Sequence, residues 1–155
     1  MNYWLKTSMR AFFPGGKDAR PLRQPRMVAA TVVERRFPHH AWAIASWTAL
    51  TGPLWTCEAV LSEAIFNLQS EGMGLDLILH YLDSGIIRLD FSLEANRADV
   101  LELLRKYADQ PMSLAEACLV RMAELNDNCQ VFTTDKDFLV YRRKGRRIIP
   151  LLAPF

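Results

Sequence analysis

Glycine is scarce in this chain, 7 residues among 155, and nowhere do they form GxGxxG or GxxxxGK[ST]. A dinucleotide-binding turn and a P-loop are therefore both excluded. Cysteine is scarcer still. Cys57, Cys118 and Cys129 are odd in number, lack CxxC spacing and lie in apolar surroundings, which argues against a disulfide framework or a zinc site and for buried free thiols in a reducing, cytoplasmic setting. Neither sign of charge dominates: 19 Lys and Arg against 17 Asp and Glu leave a net +2. Any contact with nucleic acid must then come from a local patch. Long apolar runs are missing too. The richest stretch, Trp42 to Leu61, is broken by Gly52-Pro53 and carries Glu58, so no membrane span is expected. Lys6 and Arg10 precede no sustained apolar segment with a cleavage site, which makes the N-terminus a poor secretory signal and the expected protein soluble.

What is present is a globular composition, half hydrophobic and 23% charged, of a length that suits one domain. Residues 1 to 26 hold Pro14, Gly15, Gly16, Pro21 and Pro25 among basic side chains without a period, and read as an irregular arm; residues 27 to 155 read as the domain. Within Met27 to Glu34, Thr31-Val32-Val33 alone would suit a strand. His39 to Leu50 has helical spacing and stops at Thr51-Gly52-Pro53, a short strand is expected over Leu54 to Cys57, and Thr56 is placed to cap a helix carrying Val60, Leu61, Ala64 and Ile65. Further expected elements are a helix over Leu75 to Leu82, a strand from Ile86 to Phe91, helices over Leu93 to Ala108 and after Ser113, and strands at Gln130 to Thr134 and Ile148 to Leu152. Strands separated by helices point to an α/β fold with a mostly parallel sheet covered on both faces, a three-layer α/β/α arrangement.

In such a sheet the ligand crevice lies outside the carboxyl ends of the strands. Acids just after a strand or early in the next helix can converge there, which selects Glu63, Glu116, Asp135 and Asp137. Carboxylates crowded together raise one another's pKa unless a cation neutralises them. Oxygen-only ligands favour Mg²⁺ or Mn²⁺, the usual ions for attack on a phosphodiester by water.

The residues that carry these acids stand in a recognisable order: Leu54-Trp55-Thr56, then Leu61-Ser62-Glu63-Ala64, then Pro111-Met112-Ser113-Leu114-Ala115-Glu116-Ala117, then Phe132-Thr133-Thr134-Asp135-Lys136-Asp137-Phe138. The series resembles the motifs of PIN domains, most closely the VapC-type toxin ribonucleases, over residues 37 to 155. That resemblance implies a PIN-like fold and a metal-dependent endoribonuclease acting on RNA. It implies metal ligands at Glu63, Glu116 and Asp135, with Asp137 assisting and Thr133 beside the last acid. For toxin members it also implies a homodimer and a cognate antitoxin. The chain departs from the pattern at its start, where Gln24-Pro25-Arg26 stands in place of a strand ending in aspartate. A PIN fold that has lost catalysis and serves as an RNA- or protein-binding module is the alternative. Met27 to Glu34 then resembles the family's first helix; were it a strand instead, Glu34 would stand near the crevice as a substitute acid.

Each of these residues also has an ordinary reading. Glu63 suits a solvated helix face, Glu116 completes a capping box with Ser113, and Asp135 and Asp137 suit a turn after a strand. Arg142, Arg143, Lys144, Arg146 and Arg147 suit either a solvated hairpin loop or a contact with RNA phosphates. Trp42, Trp47 and Trp55 fall in apolar segments and are expected in the core.

Overall fold

A computed structural model describes residues 26–29, 39–70 and 75–155. Its elements are β1 (Arg26–Ala29), α1 (His40–Ala49), β2 (Leu54–Thr56), α2 (Glu58–Ser70), α3 (Asp76–Asp83), β3 (Ile87–Leu89), α4 (Arg97–Lys106), α5 (Leu114–Leu125), β4 (Cys129–Phe132), a 3₁₀ turn (Lys136–Leu139), β5 (Arg142–Arg143), β6 (Arg147–Ile148) and β7 (Leu151–Leu152). Among the described residues the main sheet has the order β3-β2-β1-β4-β7, and every neighbouring pair in it is parallel. The fold is thus mixed α/β, as the alternation of segments requires, and no described helix is long and apolar enough to cross a membrane.

The central position belongs to β1, at the start of the segment Met27 to Glu34 where the family resemblance implies a helix. Met27 and Val28 pair with Leu54 and Trp55 on one side, and Arg26 to Ala29 with Cys129 to Phe132 on the other. The correction has a physical cause. A strand paired on both edges reads as a short apolar run, and a run of that length has no period with which to tell strand from helix. Of the expected arm only Arg26 is described, as the first residue of this strand; residues 1–25, and Glu34, lie outside the described residues.

Elsewhere the differences are at element ends. Thr56 does not cap α2: it is the last residue of β2 and buried, and Cys57 occupies the position before the helix. The expected strand over Ile148 to Leu152 is split, because Pro150 lacks an N–H. Ile148 belongs to the β5/β6 hairpin and Leu151 to the main sheet. The Pro150 carbonyl still accepts from the Val131 N–H at 2.9 Å, so the ladder beside β4 continues past the break.

Helix α5 is the centre of the larger core. Ala115, Ala117, Cys118, Leu119, Val120, Met122 and Ala123 are all buried, so the helix is covered on nearly every side, and its three alanines let neighbours approach closely. Val100 and Leu103 of α4 pack against it with Val131, Phe138, Tyr141 and Ile149. A second cluster joins Ala43, Leu54, Ile87 and Phe132, with Trp42 and Trp47 partly buried on its edge. Trp42 lies 5.4 Å from Phe132 and Trp47 5.1 Å from Tyr81, so both are packing residues, as their sequence neighbours imply.

The three thiols are buried and free. Cys118 beside it, followed by the N–H groups of Val60 and Ala59, holds the Cys57 thiol below its ordinary pKa. Cys118 is pushed up in turn by the same contact and by burial.

Candidate metal centre

Two loops at the carboxyl end of the sheet bring the acids together. The first precedes α5. Ser113 has extended backbone, its hydroxyl accepts from the Glu116 N–H at 3.2 Å, and a Glu116 oxygen accepts from the Ser113 N–H at 2.6 Å. This reciprocal capping box starts the helix and turns Glu116 back over the strand ends. The second loop follows β4. Thr133 is fully buried and its hydroxyl accepts from the Asp135 N–H at 2.9 Å; Asp135 then accepts from the Asp137 N–H at 2.9 Å, which closes the 3₁₀ turn. The ordinary readings of Glu116 and Asp135 are therefore real structural roles, and they are what places these carboxylates.

Carboxylate oxygens of Glu116, Asp135 and Asp137 all lie within 4.8 Å of one another. They line a cleft of about 310 Å³ together with Glu63, Val60 and Ser113. Glu63 comes from α2 and is exposed. It shares the cleft, but the group within ligand distance consists of Glu116, Asp135 and Asp137. Asp137, expected to assist, thus stands in the close group, while Glu63, expected as a metal ligand, lines the same cleft outside it.

Burial of Glu116, and after it the Asp135 charge, push its pKa above the ordinary carboxylate value against the lowering effect of the Ser113 N–H. A half-buried carboxylate held beside two others is the electrostatic condition that a hard divalent cation relieves, and an all-oxygen donor set is the chemistry such a cation prefers.

One residue of this site has no sequence signal. Tyr141, completely buried, lies behind the cleft, and its hydroxyl has no hydrogen-bond partner. Its hydroxyl faces the Glu116 side chain. Burial, followed by the charges of Glu116, Asp137 and Asp135, holds its pKa well above the ordinary tyrosine value.

The basic run forms the hairpin expected of it, β5 and β6, turning through Lys144 and Gly145 at positive φ. Its side chains are mostly engaged in holding the fold. Arg142 donates to the carbonyls of Leu139, Val140 and Tyr141 at 2.7, 3.0 and 2.8 Å. Arg143 reaches the carbonyls of Ala123, Asn126 and Asp127 at the end of α5. Lys144 and Arg147 both pair with Asp127, whose carboxyl they hold below its ordinary pKa, Lys144 foremost. Arg146 is exposed and pairs with none of the described residues.

No protein-family model matches this chain, and no curated protein does.

Proposed function

We propose that the chain is a metal-dependent endoribonuclease of the PIN type, with Glu116, Asp135 and Asp137 as the residues that hold Mg²⁺ or Mn²⁺. One observation carries this reading: three carboxylates from two separate loops meet within 4.8 Å at the carboxyl end of a parallel sheet. An ion bound there would neutralise the acids, polarise a phosphodiester oxygen and lower the pKa of water. Glu63, which lines the same cleft, would accept a proton from the attacking water or orient it. The hairpin tip beside Arg146 docks at the C-terminal end of α5, the far end of that helix from Glu116, so Arg146 would meet RNA phosphates outside the cleft. The motif series from Leu54 to Phe138, and a three-layer α/β/α arrangement, belong to the same reading. So do a homodimer, a cognate antitoxin that covers the acidic cleft, and a cytoplasmic location.

A second reading has its own observation. In the sequence, Gln24-Pro25-Arg26 stands where PIN domains carry the strand that ends in the first acid. A binding module that retains the fold without catalysis would look the same in every other respect.

Incubation of the purified chain with single-stranded RNA separates the two. The nuclease reading expects cleavage in Mn²⁺ or Mg²⁺ that stops on chelation and is lost in a Glu116→Gln, Asp135→Asn double variant. Cleavage of equal rate in the double variant refutes it, and RNA binding without cleavage in either protein favours the module.

A further inference from the structure

Two tyrosines stack behind the acid cleft, and their hydroxyl groups are treated differently. Tyr107, at the end of α4, meets Tyr141 with ring centroids 5.1 Å apart at 66°. Its hydroxyl accepts from the Arg142 backbone N–H at 2.9 Å, a bond that ties the hairpin to α4. Tyr141 is clamped from the other side by Phe138, 5.5 Å away and nearly perpendicular, and its own N–H donates to the Asp137 carbonyl. Gripped by two rings and the 3₁₀ turn, the Tyr141 ring cannot swing away from the acids, yet its hydroxyl has no partner. A buried hydroxyl left without a partner destabilises the fold that contains it, and phenylalanine would pack the same space without that cost. The group that it faces is Glu116, one of whose oxygens is already held by the Ser113 N–H.

We propose that Tyr141 is a positioning residue for the metal centre: its hydroxyl donates to the Glu116 carboxylate when Glu116, Asp135 and Asp137 together hold a divalent cation. Between the Ser113 N–H and the Tyr141 O–H, Glu116 is then held at two points, which fixes the orientation of the carboxylate. Hydrogen-bond partners that orient a ligating carboxylate in this way contribute 10-fold to 100-fold in metal affinity. The inference rests on the proposed binding of a metal by the three acids and adds to it the residue that aligns them.

The test compares the full chain with its Tyr141→Phe and Tyr107→Phe variants, with Mn²⁺ affinity measured by calorimetry and melting temperature measured in EDTA. Tyr141→Phe is expected to weaken Mn²⁺ binding 10-fold or more, while its melting temperature in EDTA stays equal to that of the parent or rises. Tyr107→Phe, which loses a satisfied structural bond, is expected to do the reverse: it lowers the melting temperature and leaves Mn²⁺ affinity unchanged. Equal Mn²⁺ affinity in parent and Tyr141→Phe overturns the role of Tyr141 while leaving the metal centre standing. Failure of the parent itself to bind Mn²⁺ overturns the metal centre and this inference with it.

Discussion

Glu116→Gln isolates the electrostatic tension in the cleft, because glutamine keeps the capping box with Ser113 and removes only the charge. Two unit charges 4.8 Å apart repel by ~3.5 kcal/mol at an effective dielectric of about 20, and by ~0.9 kcal/mol in bulk water. Asp135 is exposed and Glu116 half-buried, so the interaction lies toward the screened end, and relief from both aspartates is expected to total about 1–2 kcal/mol. Removing the burial penalty on the Glu116 charge acts in the same direction. For a chain of this size the gain corresponds to a melting temperature about 2–8 °C higher, read by circular dichroism in EDTA. In Mn²⁺ the order reverses: at about a hundred times Kd the parent gains ~2.7 kcal/mol, and the variant gains little. Should Glu116→Gln melt at or below the parent in EDTA, Glu116 is chiefly a helix cap and the crowded-carboxylate account fails.

Other consequences follow from the same geometry. Because burial and Asp135 raise the Glu116 pKa, the folded chain holds that proton more tightly than the unfolded chain between the ordinary value near 4.5 and the raised one; in that window metal-free stability is expected to rise as pH falls, while Mn²⁺ affinity declines. Parallel melts and Mn²⁺ titrations across pH 4 to 7 check both signs. Arg143→Ala should cost about 1–3 kcal/mol in urea unfolding, since it strips the carbonyls at the end of α5 of their donor. Arg146→Ala should leave unfolding unchanged and reduce the salt dependence of RNA binding by about one phosphate contact. Ellman's reagent should label none of the three buried cysteines until the chain unfolds; fast labelling of Cys57 would mean that the α2/α5 contact opens in the native state.

Much of the chain was legible before its structure. The capping box at Ser113 and Glu116, the hairpin in the basic run, and the turn after β4 each rest on contacts between residues at most a few positions apart, so local sequence carries them. The sequence also selected the strand ends from which acids could converge, because the crevice of a parallel sheet has a fixed place. Glu63 was harder to place. Its position on α2 puts it on the cleft wall, but which acids come within ligand distance depends on how α2 and α5 lean together, and no spacing within one segment encodes that.

The sequence by itself determined an α/β chain with three buried thiols, and acids positioned by an N-terminal cap and an Asx-type turn, since hydrophobic period and short-range hydrogen bonds are local properties. Only the tertiary structure decided that Arg26–Ala29 is the central strand, that Asp137 rather than Glu63 completes the close trio, that Arg142 and Arg143 hold backbone carbonyls, and that the Tyr141 hydroxyl faces Glu116. Each of these is a meeting of segments far apart along the chain, fixed by strand pairing and by the packing around α5.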